Sequence, residues 1–399
     1  MLTASQKYGI LSQKDYMTLE GQKVVSVLTG EDILKHVSVD DFVMSMRSFQ
    51  GGLEHSSVDG KISSAYVMIH PIDDSVVPSY YKYLFKSDDY IQALQSTSNL
   101  VRDGQALRYA NFVQIYLPLP SKEEQLKIGT YLDTRTEEID SLIEQTERSI
   151  ELLEEYRKSV ISEAVTKGLD PDVPMKDSGI EWIQEIPSNW LAIPLKRFFS
   201  FGKGLLITKD ALVDEGMPVL SYGQIHSKAN KSTYISGSLI RYVSISYEDK
   251  IASWANKDDL IVADTSEDVE GSGNFARVDK DQGLFAGYHT ILLKAQRPEY
   301  SHYFSYLMQT DAWRSQIRKR VNGVKLFSLT KRILSSTSLL LPELNACRSI
   351  CQYLDSTTKA IDCILEDKKC YIEKLHELRK SLISEAVTGK FKVPGVEQS

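Results

Sequence analysis

Cysteine is scarce in this chain of 399 residues and confined to one stretch: Cys347, Cys351, Cys363 and Cys370 all fall in a segment that reads as helix. Thiols so placed are not a disulfide framework, and a reducing cytoplasm suits them best. A zinc site needs converging ligands and only His376 lies near, so free helical thiols are the expectation. No run approaches the roughly 18 apolar residues of a membrane span. The opening MLTASQKYGILSQKDYM lacks the apolar centre of a signal peptide. Catalytic signatures are missing as well. There is no GxxxxGKS/T phosphate cradle, no G-x-S-x-G elbow and no H-E-x-x-H, and the histidines are scattered. GSGNFARV (271–278) has loop glycines without the GxGxxG spacing, and Pro171-Asp172 has no E-x-K behind it and reads as linker. The dense acids of 137–155 fit the wet face of a helix. A chain that catalyses nothing and holds no metal or cofactor of its own is expected.

What is present is a globular composition, 42% hydrophobic and 25% charged, long enough for two domains. Its 21 tyrosines suit β-rich packing with half-wet edges. The net charge of −7 conceals a division: residues 117–189 carry −9, whereas 190–332 carry +5. The acidic total therefore does not argue against nucleic acid.

The chain also repeats itself. RKSVISEAVT (157–166) returns 222 residues later as RKSLISEAVT (379–388), and YLDTRTEEID (131–140) returns as YLDSTTKAID (353–362). Upstream the likeness weakens but continues: YLFKSDDYIQAL (83–94) with YLMQTDAWRSQI (306–317), and DFVMSMRS (41–48) with DLIVADTS (259–266). A period of about 200 residues is too long for a solenoid and means a tandem duplication of a globular lobe and a helical tail. The predicted parts are a first lobe over 1–120, a helical spacer and linker over 121–189, a second lobe over 190–342 and a second spacer over 343–399.

Each tail is predicted to be one long helix. Ser121 with Glu124 offers a capping box and Thr134 with Glu137 a second start. From Thr136 to Thr166 the chain would run about 45 Å at 1.5 Å per residue. Ile143, Ile150, Leu153 and Val160 recur at spacings of three and four, with Ile139 and Leu142 beside them. Leu365, Ile372, Leu375 and Leu382 repeat that stripe, with Ile364 and Leu378. One apolar stripe needs a partner, and its twin in the same chain is the obvious one. The expected fold is α+β: two similar mixed α/β lobes separated by two long antiparallel helices, an intramolecular coiled coil with pseudo-two-fold symmetry. DFVMSM, SAYVMIHPI, DLIVAD and GYHTILLKA read as strands, and 302–320 as one helix.

The strongest functional signal is electrostatic. Between Ala312 and Pro342 there is no acid, but there are Arg314, Arg318, Lys319, Arg320, Lys325, Lys331 and Arg332, with Gly323 in their midst. Such a run could straddle a phosphate backbone, and arginine also reads guanine edges. The first unit offers a weaker set, Arg47, Arg102 and Arg108.

Three phrases together resemble a known family. DSGIEWIQEIPSNW (177–190), LPLPSKEEQLKIGTYLD (117–133) and the two RKS-ISEAVT segments are similar to stretches of the specificity subunits of type I restriction-modification systems. The resemblance covers nearly the whole chain, is specific in the spacers and is weak in the lobes. It implies that each lobe is a target recognition domain reading half of a split site in double-stranded DNA. It implies that the helices set the gap and dock two methyltransferase (M) subunits, and that restriction (R) subunits join them. S-adenosylmethionine, ATP and magnesium would belong to those partners in the cytoplasm, for adenine methylation and ATP-driven cleavage. One departure stands out: before KYGI (7–10) the first unit lacks roughly 30 residues that precede SYGQI (221–225), which implies an internal start, a truncated allele or a reduced form of the first lobe. The alternatives are a coiled-coil scaffold that binds only proteins, an enzyme with a dispersed site, and a silent gene product without an active complex.

Overall fold

A computed structural model describes residues 1–21, 34–45, 53–97, 109–323 and 325–394. Two compact units emerge: Met1–Ser149 with Asp367–Ser399, and Ile150–Glu366. Their boundaries fall inside the two long helices, so each unit owns part of both. No helix among the described residues is long and apolar enough to cross a membrane.

The second unit is built on two sheets. Phe199–Phe201, Thr290–Ala295, Leu260–Ala263 and Phe275–Arg277 lie side by side, all antiparallel. The strand Leu260–Ala263 is buried at every position, as its unbroken apolar run LIVA requires. A five-stranded sheet, order Leu212–Val213, Arg241–Val243, Met217–Leu220, Leu284–Ala286, Trp254–Ala255, contains the one parallel pairing described. The stretch 302–320, expected as one helix, forms two: Ser301–Met308 and Asp311–Arg318. Thr310 causes the break, because its hydroxyl donates to the Leu307 carbonyl at 2.8 Å and accepts from the Trp313 amide at 3.3 Å, capping a new helix.

The first unit repeats this plan in smaller form. Phe42–Ser45 pairs antiparallel with Tyr66–Ile69 and Glu54–His55, matching three of the four strands of the second unit's antiparallel sheet. Among the described residues no strand pairs with the far edge of Tyr66–Ile69, where the second unit has Phe199–Phe201. Helices Pro78–Leu84 and Asp88–Ser96 follow, and here Ser87 makes the break that Thr310 makes in the second unit. Even the turn into the central strand is shared, with Asp40 and Asp258 both at positive φ, 69° and 70°.

The first long helix spans Lys122–Lys167, 46 residues, and the second Leu344–Val387, 44 residues. Ser121 precedes the first, its hydroxyl accepting from the Glu124 amide at 3.3 Å, and the helix runs through the expected second start. Thr134 and Thr136 turn their hydroxyls back onto the carbonyls of Thr130 and Leu132 instead of capping anything. Gly129, in the added part, serves packing: a Cβ there would stand 2.6 Å from Ser79 Oγ.

In both units the two helices run antiparallel. In the first, Ile139 and Ile143 cluster with Leu375, Ile372 and Leu382, while Arg379 Nε donates to Asp140 at 2.9 Å. In the second, Val160, Ile161, Ala164 and Val165 share a core with Cys347, Ile350 and Leu354, and Arg157 Nε donates to Asp362 at 3.2 Å. Leu365 is buried, and Ile150 and Leu153 are half-buried. Leu142, Ile364 and Leu378 of the predicted stripe turn outward instead, since a 3.6-residue helix drifts away from so wide an apolar set. The cysteines are unbridged: Cys347 and Cys351 are buried, which pushes both thiols up to about 12, while Cys363 and Cys370 are exposed.

The duplicated decapeptide now has a physical role. In the second unit Tyr303 Oη donates to the Val165 carbonyl at 2.9 Å, and Tyr306 Oη to Asp355 at 2.7 Å. In the first unit Tyr80 Oη donates to the Val387 carbonyl at 2.8 Å, and Tyr83 Oη to Asp133 at 2.7 Å. Each SEAVT end is a plug, and each socket pairs the start of one long helix with a tyrosine helix of a lobe.

Candidate nucleic-acid interface

The basic run does not form a single patch, because helix geometry and partners remote in sequence divide it. Arg314 and Arg318, one turn apart, share a face of helix Asp311–Arg318. Arg314 Nη1 donates to Asn274 Oδ1 at 2.6 Å and Nε to the Met308 carbonyl at 3.3 Å. Burial, with the like charge of Arg318 beside it, pulls this guanidinium down to about 10. Arg318 is held by Asp311 at 2.8 Å and by the Glu270 carbonyl at 2.9 Å, and its Nε is buried without an acceptor among the described residues.

The other cations point elsewhere. Lys319 pairs with Glu181 at 2.6 Å, Arg320 donates to Ser336 Oγ at 2.9 Å, and Lys331 donates to the Phe201 carbonyl at 3.1 Å. Burial and nearby Lys203 lower the Lys331 ammonium. Lys325 and Arg332 are exposed. Arg47, Arg102 and Arg108 lie outside the described residues.

Arg314 and Arg318 line a cleft of about 1090 Å³ within the second unit. Its walls are the end of the first long helix, with Arg157 and Lys158, the loop 265–274, and Tyr222 to His226. A polar chain orders the floor. His226 Nε2 donates to the Thr265 carbonyl at 2.8 Å, which leaves Nδ1 to accept from Asn274 Nδ2 at 3.0 Å, and Asn274 Oδ1 in turn takes Arg314. Beside the cleft Tyr222 contacts the ring of His289 at 5.3 Å, and His289 pairs with Asp264 at 3.4 Å. His289 sits at φ 55°, a strained position for a residue with a Cβ. Gly273, at φ 90°, lets the loop lie on the helix, where a Cβ would meet Ile317 at 2.8 Å.

Sequence reading singled out Arg314 and Arg318 but not the cleft they line. His226 comes from one segment, Asn274 and the acids of the loop from another, and Arg314 from a third. One signal was available: between matched strands the second unit has residues 264–274, the first only 46–53. Among the described residues no three His, Cys, Asp or Glu side chains are grouped to hold a metal ion. The cleft can offer donors and acceptors to a polar ligand.

No family model matches the chain. It is 22% identical over 286 residues to the type I restriction enzyme MjaVIII specificity subunit of Methanocaldococcus jannaschii, covering 71% of this chain and 63% of that relative, less than two thirds of its length. It is 21% identical over 373 residues to the putative type I restriction enzyme MjaX specificity subunit of the same organism, 92% of this chain and 80% of the relative. Two solved structures share the fold. One comes from work on complex assembly and conformational transition of a type I restriction-modification system (TM-score 0.67, 15% identity, 90% of this chain and 84% of that one). The other is the HsdS subunit from Thermoanaerobacter tengcongensis (TM-score 0.53, 16% identity, 90% and 83%). By sequence along most of its length, and by fold, the chain is similar to the specificity subunits of type I restriction-modification systems.

Proposed function

We propose that this chain gives a type I restriction-modification complex its DNA specificity. Each lobe reads one half of a bipartite site, and the paired helices fix the gap. Methyltransferase subunits dock along those helices and restriction subunits join them. S-adenosylmethionine, ATP and magnesium act on the partners in the cytoplasm, so the complex methylates adenine and cleaves unmodified DNA while this chain remains non-catalytic. The observation that carries the reading is the repeated socket: two lobes of one plan, each holding both long helices through the same pair of tyrosine contacts, with the same arginine–aspartate pair joining helix to helix. A protein that must present two similar reading heads needs that duplication, whereas an enzyme with one active site does not. Exposed Lys325 and Arg332 suit phosphate contacts.

The test is to co-express the chain with its methyltransferase subunits and map methylated adenines across a genome. A split motif with one fixed gap is expected. An uninterrupted motif, or no duplex binding that weakens with salt, refutes the reading and favours a protein-only scaffold.

A further inference from the structure

The loop that walls the cleft of the second unit carries Glu267, Asp268 and Glu270 at its tip, all exposed. Asp268 is used locally, accepting from the Gly271 amide, but Glu267 and Glu270 make no ion pair among the described residues. Across the same cleft stand Arg314, which has no carboxylate within ion-pair distance, and Arg318, whose buried Nε lacks an acceptor. Free acceptors and two guanidinium groups thus line one space. Carboxylates within a surface that only tracked phosphates would be repelled by every phosphate they approached. They are tolerated where they meet donors instead. In the major groove those donors are the exocyclic amino groups, N4 of cytosine and N6 of adenine, and guanidinium groups match guanine O6 and N7.

The geometry points to the loop 267–270 as the base-reading element of the second lobe, its free carboxylates accepting from a cytosine or adenine amino group. This rests on the DNA-specificity reading and adds to it which bases are chosen and by what chemistry. Exposed Lys325 and Arg332 then supply affinity without choice. The matching stretch of the first unit's sequence, MRSFQGG (46–52), has no acid and one arginine, so the two half-sites are read by different chemistry.

The experiment compares three complexes, each with its methyltransferase subunits: wild type, the double variant Glu267→Gln and Glu270→Gln, and Lys325→Ala with Arg332→Ala. Methylated sites are mapped, and binding to the wild-type site and its single-base variants is titrated at several salt concentrations. The exposed, isosteric glutamines leave folding intact, and a matching thermal midpoint checks that. For the double variant we expect discrimination at one cytosine or adenine of one half-site to fall about 10- to 100-fold. The other half-site and the gap stay as they were. For the lysine and arginine variant we expect the same motif, uniformly weaker binding and a shallower salt slope. A double variant that keeps the wild-type preference at every position overturns the inference while the split wild-type motif still stands. A wild type with no split motif instead removes the underlying reading.

Discussion

Tyr80 and Tyr303 show how much one side chain can decide. Both are fully buried, and their hydroxyls close the last carbonyls of the repeated segment at Val387 and Val165. Burial raises both phenols far above the ordinary range, so they stay neutral donors at any physiological pH. Replacing Tyr303 with Phe leaves the Val165 carbonyl buried and unpaired. The loss should be about 1–2 kcal/mol, seen as a lower denaturant midpoint at unchanged slope. Tyr80→Phe should cost as much through Val387, and an unchanged midpoint in both would show that the plugs are held by apolar packing alone. None of this was visible in sequence as an interaction. The repeat was visible, but the donor lies 138 residues from its acceptor in one unit and 307 in the other. The basic run shows the same limit. Its residues could be read off the chain, whereas Glu181, Asn274 and Phe201, which tie up Lys319, Arg314 and Lys331, could not.

Among elements, the long helices were legible in kind and misjudged in length. Thr134 with Glu137 looks like a second start, and the prediction from Thr136 to Thr166 came to about 45 Å, whereas 46 residues make about 69 Å. Local propensity lost to a tertiary contact, because Ser79 of helix Pro78–Leu84 packs directly against Gly129. Gly129→Ala tests this cleanly. In an exposed helix the change would stabilise by roughly 1 kcal/mol. Here the new methyl would stand 2.6 Å from Ser79 Oγ and 3.0 Å from the Ser79 carbonyl carbon, and backbone cannot swing aside. A net loss of about 1–3 kcal/mol is expected in thermal or denaturant melts, and a gain would mean that the two helices are not in contact. The strands fared better, because an apolar run such as LIVA leaves few alternatives. The helix over 302–320 was split by Thr310, whose capping role needs the folded turn around it.

For the whole molecule, duplication was the legible fact and antiparallel pairing followed from it, since one stripe per helix needs its twin. The compact units were less legible: each draws on both long helices, so they do not follow covalent order. Two ion pairs mark the helix register, Asp140 with Arg379 and Arg157 with Asp362. Between them each helix runs through a stretch that can be shortened without touching either socket. Deleting the matched heptads 145–151 and 368–374 removes two turns from both helices and keeps the 3.5-residue stripe in phase. Seven residues are about 10.5 Å of helix, or about three base pairs of duplex at 34–36 Å per turn. On the proposed DNA-specificity reading, the shortened protein, in complex with methyltransferase subunits, should methylate the same two half-sites with a gap about three base pairs smaller. Deleting the heptad from one helix alone should instead force the two ion pairs out of register and cost stability. If the matched deletion leaves the gap unchanged, the helices do not measure DNA, and spacing must be set by the docked subunits.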